Sequence, residues 1–273
     1  MTVDASLLRY YCAVTEAFPV LVPDTDAQAV RQRFSDVAKA YAPNPDERVA
    51  IEQIEIPLEG RTLAARLYRP KAEDGPLPLL VYFHSGGWVV GDLNTHDPLV
   101  TQLALAARCA VASVDYTLAA GLRHRSPGGG RRQRGRASFG RSGAWREQAR
   151  CGARQPSTAA LSGDAPPVRK PSCLANANGP GLTNEEMKWY WAQFLSGVTP
   201  DAHDVRAFPL AEPYERTPAP ALIVAASHDP RYDDAYELKR FLESNDGRIE
   251  LIDAADMTYG FGRMHTQSAA AHA

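Results

Sequence analysis

Two short stretches hold residue types that could act together on a substrate carbonyl. The first is His84-Ser85-Gly86-Gly87-Trp88. Paired glycines let a backbone approach a ligand closely and adopt dihedrals closed to other residues. Their N–H groups could stabilise the oxyanion of an acyl-transfer reaction. A glycine turn after any strand would carry similar letters, so the motif alone leaves both readings open. The second stretch is Ser227-His228-Asp229-Pro230, whose aspartate could orient a base or simply begin a turn. Acyl transfer also needs a nucleophile with a base beside it. Gly140-Arg141-Ser142-Gly143-Ala144 approaches the spacing of a nucleophile turn, but no apolar strand precedes it. Cys12, Cys109, Cys151 and Cys173 are far apart and form no C-x-x-C pair. They fit a reducing, cytoplasmic compartment and argue against a zinc site.

The elements that would position these groups follow from hydrophobic period. Residues 1–48 read as helical, with Leu7, Leu8, Tyr11 and Val14, then Val30, Phe34, Val37 and Tyr41, at helical spacing. Ile51 to Leu58 suits a strand, Glu59-Gly60 a turn, and Leu63 to Tyr68 its hairpin partner. Leu79 to Phe83 is a continuous apolar run, as in a strand covered on both faces. A helix over 96–108 and a strand over Ala110–Val114 complete a βαβ unit. Ser157 to Leu161 is a short strand candidate. Asn184 to Leu195 reads as a helix with a Thr183/Glu186 capping box. A strand over Ala221–Ala226, a helix over Asp233–Leu242 and a strand over Ile249–Ile252 close the pattern.

With 44% hydrophobic and 23% charged residues, the 273-residue chain has the composition of an ordinary globular domain. A net charge of −2 gives no general affinity for nucleic acid. No apolar run approaches a membrane span, and the start of the chain lacks the features of a signal peptide. One window stands apart. Residues 120–155 hold ten Arg, eight Gly and one Glu, with no Asp, Lys, Val or Ile. Such a window could be a basic insert that binds phosphates, or the product of a reading-frame slip in a GC-rich gene.

The order and spacing of several motifs resemble the hormone-sensitive-lipase-like branch of the α/β-hydrolase carboxylesterases. The resemblance rests on His84-Ser85-Gly86-Gly87-Trp88, Val89-Val90-Gly91-Asp92 with His96-Asp97, and Val114-Asp115-Tyr116-Thr117-Leu118-Ala119. Asn176 to Thr183 with Trp189-Tyr190-Trp191, and Ser227-His228-Asp229-Pro230, extend it. It implies an α/β-hydrolase fold: a mostly parallel central sheet with flanking helices and an N-terminal helical cap, here incomplete. Residues 1–48 would be the cap segment and 49–273 the hydrolase domain, with 120–170 anomalous. It also implies a Ser-His-Asp acyl-enzyme mechanism on short to medium acyl esters, with no cofactor or metal. By the same resemblance Gly86 and Gly87 would supply the oxyanion donors, His84 would support their loop, and Asp229 would be the acid. The family writes H-G-G-G where this chain has Ser85.

Two family positions are occupied by other residues. Where the family reads G-D-S-A-G-G, this chain reads Gly163-Asp164-Ala165-Pro166-Pro167-Val168, so Ala165 stands at the nucleophile. Tyr259 stands where the family has its histidine before Gly-Phe, and His265 is a weak replacement six residues on. The family also places a nucleophile helix and a further strand after Asp164, where this chain has only a few residues before Pro171. A frame slip accounts for the basic window. A family-like P-A-A-V-D-D written CCG GCG GCG GTC GAC GAC, read one nucleotide earlier, gives the text of Pro127-Gly128-Gly129-Gly130-Arg131-Arg132. The sequence thus implies a carboxylic-ester hydrolase by family, with a small-molecule ester as partner and neither nucleic acid nor membrane. A catalytically inactive binding protein or disrupted gene product is the alternative, and an Arg-rich nucleic-acid-binding insert the third.

Overall fold

Ten residue pairs join Val49–Leu58 (β1) to Arg61–Pro70 (β2), from Val49 opposite Pro70 to Leu58 opposite Arg61. The computed structural model describes residues 3, 5–17, 21–44, 46–58, 61–119, 170–195, 208–210 and 217–264. The predicted strand at Ser157–Leu161, the basic window and Ala165 lie outside the described residues. β1 and β2 form the antiparallel edge of a four-stranded sheet of order β1-β2-β4-β3. Leu79–Phe83 (β3) and Ala110–Val114 (β4) run parallel. β4 is buried along its whole length, as suits a mainly apolar strand covered on both faces.

Asp97–Ala107 (α3) crosses between β3 and β4. Pro98 sits in its first turn, where a missing N–H costs nothing. Arg108 ends it in the left-handed region at φ 49°. Its apolar stripe, Val100 and Ala104, packs on Tyr68, Cys109 and Val111. At its N-terminus Asp97 accepts from Arg66 Nη1 at 2.9 Å and from the Tyr68 hydroxyl. A carboxylate there also meets the positive end of the helix dipole.

Ala221–His228 (β5) and Ile249–Thr258 (β6) form a second, parallel pair. Tyr232–Ser244 (α6) connects them and buries Leu238 and Leu242 against Ile223 and Phe241. β6 runs six residues beyond the apolar tetrad that marks it in sequence, because a register shift between Ala226 and His228 carries the pairing on to Thr258. The hydroxyl of Ser227 accepts the Asp256 N–H at this irregularity, 3.1 Å away.

Two helices, Ala5–Ala17 (α1) and Ala27–Ala40 (α2), pack against the sheet region. Leu7, Tyr10 and Tyr11 of α1 pack with Ala226, Met257 and Met264. Asp26 caps α2 by accepting from the N–H groups of Gln28 and Ala29. Val30 of α2 is fully buried against Val89, Val90 and Trp189. The short helix Pro171–Ala175 (α4) and Asn184–Leu195 (α5) follow the undescribed segment. The capping box of α5 is formed: Thr183 N–H donates to Glu186 Oε2 at 2.7 Å, and Glu186 N–H to Thr183 Oγ1 at 3.2 Å.

Candidate active site

The end of β3 runs directly into the glycine turn. Gly86 and Gly87 have φ of 132° and 55°, and Trp88 has φ 63°. A side chain at Gly86 would lie 2.0 Å from the carbonyl oxygen of Val90, and one at Gly87 would lie 2.5 Å from the Tyr190 ring. Glycine is therefore required at both positions on two counts, space and backbone conformation. The Gly86 carbonyl accepts from Val89 N–H at 3.0 Å and Val90 N–H at 2.9 Å, closing the turn. The Gly86 and Gly87 N–H groups themselves are donated to none of the described residues. Both glycines are half-buried. Converging N–H donors at such a turn can bind a carbonyl oxygen or an oxyanion.

His84 lies beneath the turn with 1% of its surface exposed. Its ring stacks on Tyr116 at 4.3 Å, and its Nδ1 sits 2.9 Å from the Ser85 carbonyl oxygen. Tyr116 donates its hydroxyl to the His84 carbonyl at 2.7 Å. Gly91 must be glycine for this ring to fit, since a side chain there would approach Nδ1 to 2.7 Å. Burial pushes the His84 imidazole below its ordinary pKa, so it is neutral at pH 7. α2 reaches the same turn from the other side, where Arg31 Nε donates to the Val89 carbonyl at 2.6 Å.

Asp229 follows β5 in a tight turn. Its N–H donates to the Ala226 carbonyl, and its own carbonyl accepts from Tyr232 N–H at 3.0 Å. Asn176 fixes this turn from α4, donating from Nδ2 to the carbonyls of Asp229 and Ser227 at 3.1 and 3.3 Å. The Asp229 carboxylate accepts the Arg231 N–H at 2.8 Å. Burial nevertheless pushes its pKa up to about 6, the Arg231 N–H and guanidinium offsetting only part of that rise.

Tyr259 lies in the turn after β6, and Tyr11 of α1 donates its hydroxyl to the Tyr259 carbonyl at 2.6 Å. The Tyr259 phenol lies beside Asp229 and the Ser85 side chain. Burial, reinforced by the Asp229 carboxylate, raises its pKa, so it stays protonated at pH 7. The fold thus brings Ser85, Gly86, Gly87, Asp229 and Tyr259 together from three strand ends. Ala165 and His265 lie outside the described residues. Tyr116, Asn176, Tyr190 and His96 also build the site. All four fall in stretches that carry the family resemblance, but nothing in their spacing assigns them a place in it.

Comparison with known proteins agrees with this architecture. The model of a family described as having the alpha/beta hydrolase fold matches residues 80–128 and 152–263. The gap between the two blocks falls inside the Arg/Gly window. An ethyl acetate hydrolase of Pseudomonas putida is 30% identical over 278 residues, spanning 88% of this chain and 84% of the relative. A carboxylic ester hydrolase of Mycobacterium tuberculosis is 28% identical, spanning 88% and 72%. Among solved structures, a thermostable esterase from Pseudomonas putida superposes with a TM-score of 0.76 at 18% identity, covering 99% of this chain and 93% of the other. An ester hydrolase from the metagenome of Lake Arreo gives 0.74 at 21% identity, covering 99% and 98%.

Proposed function

This chain belongs to the α/β-hydrolase fold family, and from that premise we propose that it is a carboxylic-ester hydrolase for short to medium acyl esters. The observation that carries the reading is the Gly86–Gly87 turn, with two undonated N–H groups beside Asp229 and Tyr259. The turn would hold the ester carbonyl oxygen, His84 would brace the turn, and Asp229 would be the family's acid. No cofactor or metal enters this mechanism. Residues 1–48 serve as a cap over the hydrolase domain of 49–273, a division supported by the packing of α1 on Ala226 and Met257 and of α2 on Val89, Val90 and Trp189. A cytoplasmic location fits the buried thiols of Cys109 and Cys173, which form no disulfide among the described residues.

Ala165 and Tyr259 make the written chain a poor catalyst by the family's own route. Alanine has no nucleophilic atom, and a buried neutral phenol accepts no proton at pH 7. Removing the triad nucleophile leaves roughly 10³- to 10⁴-fold acceleration over water from oxyanion donors and binding. Hydrolysis of p-nitrophenyl acetate and butyrate at high protein concentration tests the reading. Slow, saturable turnover above the buffer rate is the expected result. Saturable binding without turnover favours the second reading, an inactive α/β-hydrolase-like binding protein, which Tyr259 in the base position supports. Neither binding nor turnover refutes both.

A frame slip and deletion between about residues 120 and 170 fit the interruption of the family match at 129–151. An intact single-frame gene encoding this stretch as written would refute that origin. The third reading, a nucleic-acid-binding insert, would require a salt-dependent shift of an RNA or DNA probe.

A further inference from the structure

Ser85 meets two side chains, the Tyr259 phenol and the His96 imidazole. Its Oγ lies 3.1 Å from His96 Nε2. Thr95 Oγ1 lies 2.9 Å from the Asp92 carbonyl oxygen, accepts the Asp92 N–H at 2.8 Å and lies 3.0 Å from His96 Nδ1. With the Thr95 proton on the Asp92 carbonyl, Nδ1 carries the ring hydrogen and Nε2 turns its lone pair to the Ser85 hydroxyl. His96 has none of its surface exposed, and burial holds its pKa well below the ordinary value, so the ring is neutral. Ser85 itself keeps part of its surface open. A serine hydroxyl directed at an imidazole lone pair is the starting arrangement for nucleophilic attack assisted by a general base. The next two residues in the chain are Gly86 and Gly87, with their undonated N–H groups.

We propose that Ser85 is the working nucleophile of this chain, with His96 as its base and the Gly86 and Gly87 N–H groups as oxyanion donors, and that it accepts acyl groups from activated esters. The proposal rests on the ester-hydrolase reading of the same site. Ser85 Oγ bonds to the carbonyl carbon while its proton passes to His96 Nε2. The carbonyl π electrons move onto oxygen, which the two N–H groups hold. Collapse breaks the bond to the leaving oxygen, which departs as an alcohol with the proton from His96. Water adds to the acyl-Ser85 ester without help from the enclosed His96 ring, so this step is slow. Ser85 leaves with a proton from that water, and the carboxylic acid is released.

The same geometry sets the substrate class. His96 Nδ1–H rests on a neutral threonine hydroxyl instead of a carboxylate, and its ring is sealed from water. Protonating it is costly, so the base is weak. Leaving groups that need little protonation, such as phenolates, are favoured over alkoxides. Aryl esters should react where alkyl esters barely do.

The test uses the full chain, diisopropyl fluorophosphate and p-nitrophenyl acetate, read by intact mass and peptide mapping. A single phosphoryl adduct on Ser85 and a burst of p-nitrophenolate near one equivalent are expected. Ser85→Gly restores the family's residue in H-G-G-G, so its fold should survive, and it should abolish the adduct. His96→Asn should slow labelling at least tenfold. Should either variant melt early, the mapped position on the unaltered chain decides. An adduct on another serine, or hydrolysis with no adduct, overturns the Ser85 assignment and leaves the ester-hydrolase reading standing. Absence of adduct, hydrolysis and ester binding overturns both.

Discussion

Replacing Asp229 by asparagine should make the protein more stable at neutral pH. The carboxyl has a pKa of about 6 in the folded chain, against an ordinary value of 3.8. Its folded value lies above its unfolded value, so the native state binds the proton more tightly. The group costs nothing below pH ~4, where both states are protonated. The cost grows as pH rises through the window from about 4 to about 6, and is constant above it. At 1.36 kcal/mol per pKa unit, that cost reaches about 3 kcal/mol at neutral pH. Asparagine keeps an oxygen for the Arg231 N–H, now 2.8 Å from Oδ1, and removes the charge. Urea unfolding of both proteins at several pH values between about 4 and 7.5 checks this. The two should be near equal at the acid end, and Asp229→Asn should gain about 2–3 kcal/mol at the neutral end. Parallel stability curves, or a less stable variant at neutral pH, would refute the burial argument.

Other perturbations have equally definite outcomes. Gly86→Ala puts a methyl group against the Val90 carbonyl, whereas Gly75→Ala meets nothing within 4 Å. Thermal melts should show Gly86→Ala destabilised by several kcal/mol and Gly75→Ala by only the strain of its positive φ, about 1–2 kcal/mol. Leu238→Ala empties a buried position under β5 and should cost about 2–4 kcal/mol in urea unfolding. Thr183→Ala removes one arm of the α5 capping box and should cost about 1 kcal/mol by the same assay.

The sequence carries the strand ends well because period and apolar runs are local properties. β3 and β4 coincide with Leu79–Phe83 and Ala110–Val114. The extension of β6 is hidden because Asp253 and Asp256 interrupt its alternation, and pairing through the Ser227 irregularity is a tertiary event. Gly86, Gly87 and Asp229 stand out by residue type and position after strands. The contacts among Ser85, His96, Thr95 and Asp92 exist only once the loop after the glycines has folded back. His96 reads in sequence as part of the family text and the start of a helix, with no sign of its contact with Ser85. Tyr259 was legible as a departure from the family pattern, but its contact with Ser85 joins positions far apart in the chain.

The hydrogen bond from Tyr11 to the Tyr259 carbonyl has a consequence for synthesis. It joins residues 248 positions apart, so a helix made among the first must wait for a turn made among the last. Until β6 leaves the ribosome, the apolar stripe of Leu7, Tyr10 and Tyr11 has neither Met257 nor Met264 to cover it. Nascent chains therefore carry that stripe uncovered while all the residues between it and β6 are made, a natural handle for chaperones. Any product truncated before β6 would keep that handle permanently and be directed to degradation.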